Sequence, residues 1–241
     1  VHNEEVAKKL KNAGVKKTKK LECGNDKILL IRAHGASFFT IDKAHKLGYR
    51  IVDATCPMVK EIHKIASRAE SEGRTIIVIG DKKHDEVRGI IGQLKRKAIV
   101  ISGPKDVPLK KIKKIKKAAI VAQSTQNSVK VLKIADLLKH HIKDLKFFNT
   151  ICQPTRTKQQ EMQHMPLENN AMIIIGSKAS ANTQRLYEIS RSLNTKSYWV
   201  SSKKDIKPKW FKGIQSVGIT AGASTPDDTT KEIVAYIKKI A

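Results

Sequence analysis

The sequence predicts an α/β protein, with helices layered around parallel sheets, and three observations carry that prediction. Short β-branched apolar runs alternate with stretches of helical period. Glycines stand where several helical stretches stop. Polar residues gather just past the ends of the apolar runs, where open parallel sheets bind ligands.

Each element follows from its own residues. A helical stretch over 4–13 ends at Gly14, one over 40–47 at Gly48, and one over 58–72 at Gly73. Apolar runs predict strands at 27–31, 50–52, 75–79, 99–101, 118–122, 172–175, 198–200 and 217–219. A last helix opens at Pro226 and places Ile233, Val234, Tyr236 and Ile237 on a buried stripe. Cys56 and Cys152 each follow a strand-like stretch and open a helix, a weak internal repeat. Val1-His2-Asn3 runs straight into a helical pattern, so the chain reads as cut at its N terminus.

With 241 residues, 40% apolar and 29% charged, the composition is that of a globular protein. No apolar run approaches the ~18 residues of a membrane span, and no leader opens the chain, so a cytoplasmic location is expected. Lys plus Arg number 48 against 22 Asp plus Glu, a net charge of +26. Such a charge raises the local concentration of anionic partners. The lysines are scattered, however, and at 5% aromatic there is little for bases to stack on, which argues against nucleic acid. The run Lys110-Lys111-Ile112-Lys113-Lys114-Ile115-Lys116-Lys117 is the densest, and fits a solvated helix face or a docking patch. Taken alone, Cys23, Cys56 and Cys152 read as small buried hydrophobes in a reducing compartment.

The strand ends carry the chemistry. Ser180, Asn182 and Ser224 stand at predicted helix starts, where free N–H groups and the helix dipole favour an anion. Singly each reads as an ordinary N-cap, and together they read as a phosphate site. His34 and His84 are donors suited to a diphosphate, and Glu86 is a candidate proton donor or else a solvated helix-start carboxylate. His63, His140, His141 and His164 lie within helical stretches and receive no role.

These blocks together resemble the IspH/LytB family of 4-hydroxy-3-methylbut-2-enyl diphosphate reductases. The matching stretches are Val1-His2-Asn3, Ala33-His34-Gly35, Asp53 to Pro57 with Val59, and His84, Glu86, Val87, Gly89, Gly92 and Gln93. They continue with Gln123 to Thr125, Thr150 to Cys152 with Thr155 and Gln159, Gly176 to Leu186, and Gly218 to Asp227, all in family order. The resemblance implies three small α/β lobes in pseudo-threefold arrangement: 1–56, a remnant of an incomplete first lobe; 57–149, the second; and 150–241, the third. It implies a 4Fe–4S cluster with Cys56 and Cys152 as ligands, a third cysteine upstream of Val1, and an iron open to the substrate's allylic hydroxyl. His2, His34, His84, Ser180, Asn182 and Ser224 would hold the diphosphate, with the Ser124 hydroxyl near the substrate oxygen and Glu86 supplying the proton. A ferredoxin or flavodoxin would donate the electrons. With only two of the three cysteines within 1–241, the chain as written is expected to hold a cluster poorly. Three departures stand out: Ser124 replaces the usual threonine, Asp85 a proline, and Ala181 a second serine. Cys23 lies where the family places no ligand.

Overall fold

The computed structural model describes residues 4–18, 20–25 and 27–240, and among these it has nine β-strands and nine α-helices. By contact density the chain forms two compact units. One is Lys17–Cys152; the other combines Val1–Lys16, which includes α1 (Glu4–Asn12), with Gln153–Ala241. All strand pairs are parallel, which places every strand's carboxyl end on the same side of its sheet.

The unit Lys17–Cys152 contains two sheets. Strands β1 (Ile28–Ile31) and β2 (Arg50–Asp53) make the smaller one, linked by α2 (Phe38–Lys46). Ser37 caps α2, its Oγ accepting from the Thr40 N–H at 3.1 Å, so this helix starts two residues before the expected 40. Ile28, Leu30 and Val52 remain exposed on this thin sheet. After α3 (Pro57–Ser71) comes β3 (Thr75–Ile79), then α4 (Asp85–Ile91), β4 (Ile99–Ile101), α5 (Leu109–Ile112), β5 (Lys117–Ala122), α6 (Ser128–Lys139) and β6 (Asp144–Phe147). These four strands line up in the order β4-β3-β5-β6.

Strands β3 and β5 are covered on both faces, which is why their sequences are nearly unbroken Ile, Val and Ala. Ile77, Ile79 and Ile120 pack with Ile112, Ile134 and Leu138 of α5 and α6. Ile76, Val78 and Val121 pack on the other face with Ile62, Ala66, Val87 and Ile90 of α3 and α4. Each such isoleucine contributes about 1.5–3 kcal/mol through burial, so this central pair is the anchor of the unit. Edge strand β6, foreseen only as the strand-like stretch before Cys152, is held by charge. The buried Arg74 guanidinium donates to Asp144 Oδ1 at 2.8 Å and to the Ala118 carbonyl at 3.1 Å.

In the second unit, α7 (Gln153–Glu168) precedes β7 (Ala171–Ile175), followed by α8 (Ala181–Leu193), β8 (Ser197–Val200), β9 (Val217–Ala221) and α9 (Asp227–Ile240). The strand order is β8-β7-β9. Met172 and Ile174 face Met162 and Leu186 of α7 and α8, while Ile173 and Ile175 face Ile233 and Ile237 of α9. Pro226 lies just before α9 rather than within it.

Both larger sheets contain a switch in winding direction. From β3 the chain crosses to β4 on one side and returns to β5 on the other; from β7 it does the same through β8 to β9. Such a reversal opens a crevice at the carboxyl ends of the two central strands. Matching backbone bonds close the two crevices, Gln123 N–H to Ile79 O and Gly222 N–H to Ile175 O, both 2.8 Å. Gly14, Gly48 and Gly73 all have left-handed φ, at 85°, 78° and 79°, and terminate helices as expected.

Candidate functional site

The β3/β5 crevice is built from Glu86 outward. Glu86 lies in the first turn of α4 and is 2% exposed, which discards the reading of a solvated helix-start carboxylate. Its Oε1 accepts from the Ser124 N–H at 2.6 Å and its Oε2 pairs with the Ser124 hydroxyl at 2.8 Å. A buried carboxyl group is tolerable only with such partners. The crevice walls are fixed beneath it. Gln123 Oε1 accepts from the Asp81 N–H at 3.0 Å, and Thr150 Oγ1 bonds both the N–H and the carbonyl of Ala122, at 2.8 and 2.6 Å.

His84 caps α4: its Nδ1 accepts from the Glu86 N–H at 3.2 Å, so the neutral ring carries its proton on Nε2. The His34 ring approaches His84 edge-on, with centroids 5.3 Å apart. An ion pair ties the two turns, Arg32 Nη2 to Asp85 Oδ2 at 2.8 Å. Asp85 thus has a partner in this chain.

Both cysteines of interest belong to this unit. Cys56 is the N-cap of α3, and its N–H donates to the Ala33 carbonyl at 3.0 Å, beside the His34 turn. Asp53, at the end of β2, is held by two neighbours. Its Oδ1 accepts from the N–H (2.9 Å) and the hydroxyl of Thr55, and its Oδ2 meets Lys60 Nζ at 2.6 Å. The Lys60 bond, then the Thr55 hydroxyl, bring the Asp53 pKa down to about 2. The Cys152 N–H donates to the Ser124 carbonyl at 2.9 Å, so this thiol adjoins the serine that holds Glu86. Cys56 is exposed and Cys152 half-buried, neither in a disulfide, which overturns the reading of buried hydrophobes. Cys23 is exposed and donates to Asn25 Oδ1 at 2.9 Å. Among the described residues, no group of three or more His, Cys, Asp or Glu is placed to hold a metal.

The β7/β9 crevice belongs to the other unit. Ser180 caps α8, its Oγ accepting from the Thr183 N–H at 3.3 Å, which leaves the hydroxyl proton for another acceptor. Asn182 is 6% exposed; Thr155 Oγ1 donates to its Oδ1 at 3.5 Å, and its buried Nδ2 has no hydrogen-bond partner. A buried amide N–H₂ without an acceptor suits an anion. Ser224 is exposed on the turn before α9. Thr183 wedges its own unpartnered hydroxyl between two turns. A Cβ on Gly176 would stand 2.5 Å from Thr183 Oγ1, and one on Gly222 2.2 Å. Lys178, two residues after Gly176, lies over the Trp199 ring at 4.5 Å and is bonded to its carbonyl. Burial pushes its pKa down, with Asp205 opposing.

Of the expected site residues, His34, His84, Glu86, Ser124, Cys56 and Cys152 fall in one unit, and Ser180, Asn182 and Ser224 in the other. His2 lies outside the described residues. Sequence reasoning missed His63, whose imidazole packs against Gly35 and Gly89. The signal was present: His63 shares a stripe with the buried Val59, Ala66 and Glu70 of α3.

Comparison with known proteins agrees with this architecture. The family described as LytB protein matches residues 1–238. The 4-hydroxy-3-methylbut-2-enyl diphosphate reductase of Aquifex aeolicus is 35% identical over 243 residues, covering 100% of this chain and 83% of the relative. That of Campylobacter hominis is 37% identical, covering 98% and 86%. Among solved structures, an (E)-4-hydroxy-3-methyl-but-2-enyl diphosphate reductase, the terminal enzyme of the non-mevalonate pathway, is 35% identical with a TM-score of 0.69, covering 99% of this chain and 85% of that one. The E-1-hydroxy-2-methyl-but-2-enyl-4-diphosphate reductase of Plasmodium falciparum is 28% identical with a TM-score of 0.88, covering 98% and 75%. With family match and relatives both spanning nearly its whole length, the chain belongs to the LytB protein family.

Proposed function

We propose that this chain acts as a 4-hydroxy-3-methylbut-2-enyl diphosphate reductase, removing the allylic hydroxyl of its substrate to give isopentenyl and dimethylallyl diphosphate. Two electrons and two protons break the C–O bond, release water and leave a new C–H bond. The observation that carries the proposal is the buried Glu86–Ser124 pair at a sheet switch point, beside two edge-on imidazoles. Glu86 and Ser124 form a proton path: a protonated Glu86 gives its proton to Ser124 Oγ, whose own proton passes to the departing oxygen. His34 and His84 are taken as diphosphate donors with His2, and Ser180, Asn182 and Ser224 as further ones. The unpartnered Nδ2 of Asn182 is what favours that role most.

A 4Fe–4S cluster would supply the electrons and a Lewis-acidic iron at the hydroxyl. Cys56 and Cys152 fit as two of its ligands, being thiols outside any disulfide whose backbones are tied to the turns of His34 and Ser124. The divisions 1–56, 57–149 and 150–241 are taken as three lobes, each with its own parallel sheet. A ferredoxin or flavodoxin is taken as donor, its acidic surface suited to a chain of net charge +26.

Anaerobic reconstitution of the full-length protein with iron and sulfide tests the reading. A brown protein that loses iron in Cys56→Ser and Cys152→Ser, and that turns over the hydroxylated diphosphate with a chemical reductant, is expected. Iron content unaffected by both substitutions would end it.

A further inference from the structure

His63 has no part in the mechanism above, yet its ring lies where three site-bearing elements meet. It stands on α3, whose N-cap is Cys56. A Cβ on Gly35, the residue after His34, would come within 2.7 Å of His63 Cε1. A Cβ on Gly89, in the α4 helix that His84 caps, would come within 3.3 Å of His63 Nε2 and 2.9 Å of the His34 carbonyl. The His34 turn and α4 therefore approach so closely that only glycine fits, and the flat imidazole fills the corner between them. Gly35 adds a left-handed φ of 74°, so the turn's shape also depends on its lacking a side chain.

The nitrogen in that corner is unusual. His63 Nε2 is buried without a hydrogen-bond partner. Burial holds the ring below the ordinary histidine range, with the Asp53 charge opposing, so it is neutral near pH 7. With no hydrogen bond at Nε2, the ring acts on this corner by its shape rather than by a polar contact.

We infer that His63 is a positioning residue for the two anion-facing histidines: its ring is the spacer that sets how far the His34 turn stands from α4, and so fixes the edge-on approach of the His34 and His84 rings. The inference deepens the proposed function, because it takes those rings as diphosphate donors. Ring shape carries the role, so a flat apolar ring should substitute for the imidazole while a small side chain should not.

The test uses the whole chain, with inorganic pyrophosphate as probe in calorimetry and the histidine ring protons followed by NMR. His63→Ala is expected to stay folded, to weaken pyrophosphate binding about tenfold or more, and to move the His34 and His84 ring resonances as their mutual shielding is lost. His63→Phe is expected to keep those resonances and to bind within about threefold of the parent. A folded His63→Ala with parental affinity and unmoved resonances overturns the spacer. So does a folded His63→Phe that has lost the edge-on signature, and this variant decides alone if His63→Ala does not fold. A parent chain that ignores pyrophosphate sinks the diphosphate reading instead, and the resonances of the two variants still settle the spacer.

Discussion

Replacing the Glu86 carboxylate by an amide removes its proton chemistry while nearly keeping its shape. Glu86→Gln should therefore lower kcat by about 10²–10⁴-fold, with a much smaller change in KM. Ser124→Thr keeps a hydroxyl and should retain activity, whereas Ser124→Ala leaves Glu86 Oε2 without its 2.8 Å partner and should lower stability by about 1–3 kcal/mol. Denaturant titration beside steady-state kinetics separates the two effects. Asp53 offers a test of sign. Its folded pKa, about 2, lies below the ordinary aspartate value of 3.8, so its contribution to stability is present above 3.8 and fades as pH falls toward 2. Because the Asp53–Lys60 pair is largely exposed, that contribution is small. Lys60→Met should raise the Asp53 pKa toward 3.8, readable from its carboxyl carbon shift; an unchanged titration would show that Thr55 alone sets it.

At the scale of elements, the stiffest parts are the two central strands of the larger sheet. Ile120→Ala removes a fully buried side chain between β3, α5 and α6 and should cost about 2–5 kcal/mol, seen as a lowered thermal midpoint. Strands β3, β5 and β7 were legible in sequence because strands buried on both faces must be written in β-branched and small apolar residues. Strand β6 was legible only as a strand-like stretch before Cys152, since Arg74 supplies its attachment from a distant part of the chain through Asp144. The glycine stops were legible because a left-handed φ has few other occupants. Polar strand ends located the two crevices, but nothing local in the sequence says that Glu86 is buried against Ser124, thirty-eight residues on. The α3 stripe marked His63 as inward-facing, but its place between two glycines, like that of Thr183, arises from close backbone approach, which leaves no periodic trace.

At the scale of the whole molecule, the densest lysine run and the crevice fall at opposite ends of one strand. The run 110–117 consists of α5, a turn and the first residue of β5, so it lies at the strand's amino end, while Gln123 and Ser124 follow its carboxyl end. Six residues at ~3.3 Å each put a strand length of about 20 Å between them. Reversing the charge of Lys110, Lys111, Lys113 and Lys114 should therefore change electron delivery from a ferredoxin or flavodoxin by less than about threefold, while raised ionic strength should slow it markedly. A large loss in the charge-reversed variant would relocate donor docking to this run.

The uniform direction of the strands has a practical corollary. Within the β4-β3-β5-β6 sheet the turns at the strands' amino ends lie about a strand's length from the crevice, so they offer a quiet place at which to handle the molecule. A fluorophore or an affinity handle attached at the exposed Lys113 should report on folding, tumbling and assembly while leaving the chemistry at the opposite ends undisturbed.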